Sequence, residues 1–344
     1  MIEPGNAAVE HRGAPTLEEV ARVAGVSRST VSRVINNSPG VSGRARRAVT
    51  RAIETVGYVP NEAARSLVTR RTNSVALVVS EPGERVFGDP FFAGVLRGVH
   101  AGLSGSLRQL VLMMLAEDDD GARLEKYLCS GHVDGALVVS MHGDDPLPQR
   151  LAEAGLPVVA GGRPLSGSDV PYVDADNFTG GLTAARHLVS TGRRGLGTLA
   201  GPADMAVGID RFAGWRLGLS EAGVGADAVV HSDFTVEAGA RAMADLLERH
   251  PELDAVFAAA DIIAVGALRE LAARGLAVPD DVAVVGFDDS ALATTVTPRL
   301  TTVRQPVEEL GRTMTWRLLA QLAGETPLPP SILLPTELVV RESA

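Results

Sequence analysis

The sequence predicts an α/β protein in two parts, a small all-α segment at the amino end and a large body of parallel strands flanked by helices. Three observations lead there. The chain has 344 residues, more than one ordinary domain of roughly 100 to 200 residues holds. Residues 1–71 carry 11 Arg against 6 Asp and Glu, whereas residues 72–344 carry 21 Lys and Arg against 36 Asp and Glu, so a basic segment precedes an acidic body. The apolar pattern changes at the same place, from purely helical spacing to short apolar runs alternating with helical stretches. With 45% apolar and 22% charged residues, the chain can bury sizeable cores and lies far from the composition of disordered proteins. A basic end on an acidic protein is also the charge pattern of a nucleic-acid reader carried on its own domain.

Residues 1–14 read as a disordered tail with no apolar core of signal-peptide length. Residues 15–60 read as a helix-turn-helix unit. Leu17, Val20, Ala21, Val23 and Ala24, then Val26, Thr30, Val31 and Val34, fall at helical spacings in two short helices. Thr16 followed by Glu19 has capping-box form, Ser27 is placed to cap the second helix, and Gly25 stands where the first must stop. A third helix over Ser42–Val56 offers Ala45, Ala48, Val49, Ala52, Ile53 and Val56 to cover the first two. In such a motif the second helix enters the major groove, with Arg28 and Ser29 toward base edges and Ser32 and Arg33 one turn on. Arginine can bind guanine bidentately; the spacing alone equally allows a small helical hairpin with solvated arginines. Pro60 then breaks the chain, and Asn61 starts a short helix carrying Arg65 and Leu67.

From Thr16 through Leu67, including GYVPN and AARSL, the chain resembles the lactose-repressor and purine-repressor family of bacterial transcription regulators. The resemblance implies that Arg28, Ser29 and Arg33 read bases. It implies that Thr16, Leu17, Ser27, Thr30, Ser32, Asn36, Tyr58 and Asn61 position the unit on phosphate and sugar. Residues 61–73 become hinge helix and linker, Arg65 a phosphate contact, and Leu67 a wedge into a central base step, which costs a few kcal/mol and is repaid by the contacts of bent DNA.

From Ser74 onward the runs VALVV, LVLMML, GALVV, PVVA, GLGTLA, AVV, AVFAA and VAVVGF alternate with helical patterns. About 270 residues exceed one comfortable sheet, and the turn-rich segment GGRPLSGSDVPYVDADN marks a crossing between two lobes. The resemblance extends through this body by Asp89-Pro90-Phe91-Phe92, Val133-Asp134-Gly135, Gly286-Phe287-Asp288-Asp289 and the segment Leu300 to Pro306. It implies a two-lobed core like a periplasmic sugar-binding protein, closing on a small effector. By position, lobe 1 takes about 74–174 and 305–334, and lobe 2 about 175–304 and 335–344, with crossings near Asp174, Arg304 and Pro335.

Ligands of such folds bind at the carboxyl ends of strands, where Ser140, Met141, Gly162 and Asp288 fall. The resemblance adds Arg211, Phe234, Ala260, Asp261 and Gln305, with Phe91 and Phe92 as further candidates. The residues themselves also allow a core place for Phe91 and Phe92, a strand-end turn for Asp288 and a helix-cap ion pair for Arg211. Two polar contacts frequent in the family are absent, Ala260 replacing an asparagine and Gly162 an aspartate, which weakens the case for a simple sugar. The segment SEPGERVFGDPFF is longer than the usual family connection and is expected to reshape the cleft mouth.

The run Glu117 to Gly121 lacks the alternating ligands of a calcium loop. No histidine has a partner at metal-ligand or triad spacing, and there is no Gly-x-Ser-x-Gly elbow, P-loop or full dinucleotide fingerprint. No metal, cofactor or catalytic residue is therefore expected. The single Cys129 and the lack of an apolar span point to a reducing cytoplasm. The expectation is a dimeric, cytoplasmic, sequence-specific DNA-binding regulator, most simply a repressor, whose grip on a pseudo-palindromic operator follows a small effector. The alternative is a solute-binding protein that does not read DNA, with an α/β enzyme behind it.

Overall fold

A computed structural model describes residues 15–35, 38–58, 71–115, 121–165, 167–325 and 329–344. The expectations for residues 1–14, Asn36, Asn61, Arg65, Leu67, the hinge helix and the acidic run at 117–120 lie outside these residues. The chain divides into two units with the break between Arg71 and Thr72.

The first unit holds α1 (Leu17–Ala24), α2 (Arg28–Ile35) and α3 (Gly43–Val56). Thr16 Oγ1 accepts from Glu19 N at 3.3 Å, and Ser42 Oγ accepts from Ala45 N at 3.2 Å, each satisfying one orphan amide of a first turn. Gly25 and Gly57 end α1 and α3 at φ 66° and 65°, the left-handed conformation glycine adopts cheaply. Val20, Ala21, Val31, Val34, Val49 and Ala52 are buried together, so the three apolar stripes read from spacing do meet.

The second unit is built on two six-stranded sheets. The first contains β1 (Ser74–Val79), β2 (Gln109–Met114), β3 (Gly135–Val139), β4 (Val158–Gly161), β5 (Tyr172–Ala175) and β11 (Ser331–Leu334), all parallel in the order β11-β5-β4-β3-β1-β2. Side chains alternate across it: Val75, Leu77 and Val79 pack on α5 (Pro90–Leu103) and α13 (Val307–Ala323), while Ala76 and Val78 face the opposite layer. That layer contains α6 (Ala122–Tyr127) and α7 (Leu147–Glu153). The long connection SEPGERVFGDPFF folds into an extra short helix, α4 (Gly83–Gly88), ahead of α5.

The second sheet contains β6 (Leu196–Ala200), β7 (Val229–His231), β8 (Ala255–Ala258), β9 (Ala283–Asp288), β10 (Thr301–Arg304) and β12 (Glu337–Val339). Its order is β12-β10-β9-β8-β6-β7, and only β12 runs antiparallel. Helices α8 (Asn177–Ser190) and α9 (Ala206–Glu221) cover one face, α10 (Val236–Arg249) and α11 (Asp261–Ala273) the other, and α12 (Leu292–Thr295) is a single turn. The chain passes between the sheets after β5, after β10 and after β11. Glycines set the closest helix contact: a Cβ on Gly181 would lie 2.1 Å from Arg211 O, and one on Gly214 1.9 Å from Phe178 O. That backbone approach holds Arg211 against the first crossing. Among the described residues no helix is long and apolar enough to cross a membrane.

Candidate functional site

The small unit presents α2 with its polar side outward. Ser27 Oγ caps it, accepting from Thr30 N at 3.2 Å, and lies 2.8 Å from Ser29 Oγ and 2.9 Å from Thr30 Oγ1. Arg28, Ser29 and Arg33 are exposed and Ser32 half-buried, beside exposed Thr16 and half-buried Leu17, Thr30 and Tyr58. Arg28 Nε lies 3.1 Å from a Glu18 carboxylate oxygen, both side chains being largely exposed. An arginine so placed reads a base only by exchanging that carboxylate for guanine acceptors, a step the spacing did not disclose. The capping box is half made, since the Glu19 carboxylate stands 3.8 Å from Arg22.

In the large unit a cavity lies between the lobes, with about 700 Å³ of empty space that includes the open solvent at its mouth. Of the expected residues, Phe91, Ser140, Met141, Gly162, Arg211, Phe234, Ala260, Asp288 and Gln305 border it. Phe92 does not: it is 2% exposed, inside the lobe 1 core with Val95 and Leu137, edge-on to Phe91 with centroids 5.3 Å apart. Asp261 does not either. It is fully buried, accepting from Thr302 Oγ1 at 2.6 Å and Ser290 N at 2.8 Å, and so ties α11 to the turn after β9. A Cβ on Gly286 would stand 2.5 Å from this carboxylate. Gly162 has φ 101°, a conformation in which a side chain would be strained.

The floor of the cavity is a continuous polar chain placed at the crossings. Asn177 Nδ2 donates to Asp174 Oδ1 at 2.9 Å, and Arg211 Nε donates to Asn177 Oδ1 at 2.9 Å. Arg211 Nη1 donates to Ala259 O at 2.5 Å and lies 3.5 Å from Asp288 Oδ1, which also accepts from Gln305 Nε2 at 2.6 Å. The Arg211 guanidinium rests 3.6 Å from the centre of the Phe287 ring. Burial pushes the Asp174 carboxyl up to about 6 against the hydrogen bonds it accepts. It raises Asp288 and Asp261 as well: the Arg211 charge partly offsets the rise at Asp288, while the Asp288 charge adds to it at Asp261. Desolvation lowers Arg211 from the usual guanidinium range, though an arginine stays charged.

Two ion pairs join the lobes beside the cavity. Arg163, following β4, makes a fork to Asp210 of α9, with Nη2–Oδ1 2.7 Å and Nε–Oδ2 3.2 Å. His142, following β3, has Nδ1 2.9 Å from Asp204 Oδ2 in lobe 2 and Nε2 3.0 Å from Glu81 Oε1 in lobe 1. Carboxylates only accept, so both ring nitrogens carry protons; the Glu81 hydrogen bond is the largest cause lifting His142 from 6.5 to about 9. Sequence reasoning missed Arg85, Asp89, Arg163, Asp174 and Asn177 as cavity residues. A signal for Arg163 was its place directly after Gly162 at a strand end; the others stood in segments read as turn or connection.

Two family descriptions match the chain, "Bacterial regulatory proteins, lacI family" over residues 16–61 and "Periplasmic binding protein-like domain" over residues 185–344. The HTH-type transcriptional regulator CelR of Thermobifida fusca is 51% identical over 339 residues, covering 97% of this chain and 100% of CelR. The HTH-type transcriptional repressor PurR of an Escherichia coli strain is 33% identical over 333 residues, covering 95% and 96%. Among solved structures, the CelR–cellobiose complex is similar with TM-score 0.77 and 50% identity, covering 96% of this chain and 100% of that one. The lac repressor dimer bound to operator and the anti-inducer ONPF is similar with TM-score 0.86 and 26% identity, covering 96% and 99%. A capped reader helix on its own unit, a two-lobed core with a polar-floored cleft and these full-length likenesses agree: the chain belongs to the lacI family of bacterial regulatory proteins and is a helix-turn-helix, DNA-binding transcriptional regulator.

Proposed function

We propose that the chain acts in the cytoplasm, by binding and without turnover, as a homodimer on a two-fold operator. A neutral saccharide of the β-linked disaccharide type enters its cleft and changes operator affinity. The observation that carries the saccharide reading is the polar chain Asp174, Asn177, Arg211, Asp288 and Gln305 lining the same cavity as Phe91 and Phe234. Paired donors and acceptors in a largely buried floor suit hydroxyl groups, and apolar rings suit the faces of a sugar. Asp174, Asn177 and Arg163 supply polar groups that Gly162 and Ala260 lack. Cellobiose is the ligand of the solved CelR complex. Dimerisation suits the two-fold symmetry of operators, and the lac repressor in its operator complex is a dimer.

Because the polar floor lies at the crossings between lobes, a ligand that prefers one lobe arrangement shifts the equilibrium by its differential affinity. The experiment selects duplexes from a randomised DNA pool with the purified chain, then measures affinity for the selected site with and without cellobiose. A two-fold site whose affinity changes with cellobiose is expected, weakening marking an inducer and tightening a corepressor. A selected site indifferent to cellobiose, with no calorimetric binding of the sugar, overturns the saccharide reading. Arg28→Ala should lower discrimination at particular bases by about 1–3 kcal/mol; uniform weakening on all sequences would remove Arg28 from base reading.

A further inference from the structure

The extra helix α4 brings an arginine to the cleft that the polar floor does not use. Arg85 borders the cavity, and its guanidinium lies 4.8 Å from the centre of the Phe234 ring in the opposite lobe and 5.9 Å from that of Phe92 in its own. Glu81 anchors it through Nη1, and the same Glu81 oxygen accepts from Ser140 Oγ at 2.6 Å and faces His142 Nε2 at 3.0 Å. Arg85 Nε is buried and has no protein acceptor. A buried donor left unpaired is costly, and Arg85 is one of the residues that line the cavity.

Charges of both signs surround it. Arg85 and protonated His142 carry two positive charges against Glu81 and Asp204. Such a cluster offers hydrogen bonds without calling for a charged ligand. Of the groups in this cluster only Arg85 and Ser140 line the cavity, whose floor holds Arg211. Asp89 also lines the cavity and accepts from Phe91 N at 2.9 Å.

We propose that Arg85 is a specificity-determining residue of the cleft, donating its Nε–H to a hydroxyl oxygen of the saccharide effector. The assignment rests on the saccharide reading above. Helix α4 thereby adds a donor to the cavity whose floor holds Arg211 and Asp288.

The test is a cycle between protein and ligand. Calorimetry compares the full-length chain with Arg85→Lys, which keeps the charge beside Glu81 and loses the Nε donor. The ligands are cellobiose and a set of cellobioses each lacking one hydroxyl of one unit. Arg85→Met runs in parallel, and a cooperative thermal transition shows which variants fold. The substitution should weaken cellobiose about tenfold, the size expected for a hydrogen bond from a charged donor. One deoxy ligand should lose about tenfold on the unmodified chain and less than twofold on the variant, since its partner is already gone. If every deoxy ligand loses the same factor on both proteins, Arg85 contacts no hydroxyl and the assignment fails. If the unmodified chain binds no cellobiose, the saccharide reading falls first and the assignment with it.

Discussion

His142 joins the lobes as a cation, and the strength of that junction follows from its geometry. Raising a histidine from 6.5 to about 9 corresponds to roughly 3 kcal/mol in favour of the protonated, folded form. The ring is 37% exposed and Asp204 56%, so solvent screening reduces the contribution to roughly 1–2 kcal/mol. The folded value lies above the unfolded one, so the contribution is complete below about pH 6.5 and is lost as pH rises through about 9. The perturbation is His142→Gln, which keeps the Gly143 N to Asp204 O hydrogen bond of 2.7 Å but cannot be charged. The charged groups facing the ring, Glu81, Asp204 and, through Glu81, Arg85, are left in place. The assay is urea unfolding followed by tryptophan fluorescence, which reports the large unit alone because Trp215 and Trp316 are the two tryptophans of the chain. The unmodified chain should exceed the variant by roughly 1–2 kcal/mol at pH 6 and by little at pH 10. Groups that titrate alike in both proteins cancel in the difference. A difference equal at the two pH values would show that His142 is not held as an imidazolium and would refute the reasoning.

Three further outcomes are expected. Arg211→Ala removes the donor between Asn177, Ala259 and Asp288; calorimetry should show effector binding abolished, and urea unfolding a loss of about 3–5 kcal/mol for the broken buried pair. Gly214→Ala places a Cβ 1.9 Å from Phe178 O, forcing α8 and α9 apart at a cost of about 1–3 kcal/mol, and should weaken the effector because Arg211 moves with α9. Phe92→Leu should cost about 1 kcal/mol of stability with little change in effector affinity, whereas Phe91→Leu should do the reverse; matching effects would mean that both rings serve the same surface.

The sequence by itself determined the reader unit and the rhythm of the core. Thr16, Gly25, Ser27 and Ser42 act within a few residues of themselves, and the stripes around Val20, Val31 and Val49 follow from helical period alone. The alternation of Val75, Leu77 and Val79 against Ala76 and Val78 is likewise local, and parallel strands joined by helices leave few ways to layer them. Asp288 was marked by its place at a strand end, whereas Arg211 and Phe234 were legible only through the resemblance to a family, because nothing in their neighbours marks them. Tertiary structure decided the rest. Adjacent phenylalanines at the start of α5 point to different places, Phe91 to the cleft and Phe92 to the core, and which does which depends on how the helix is set on the sheet. Asp261 carries the chemistry of a ligand residue but is bound to Thr302 and Ser290, partners far along the chain. Arg163 meets Asp210, His142 meets Asp204, and Arg85 meets Phe234 only because the lobes face each other. Capping and amphipathic spacing act over one or two turns, so the residues that need them announce themselves; a cleft gathers the ends of many strands, and its members share no local pattern to betray them.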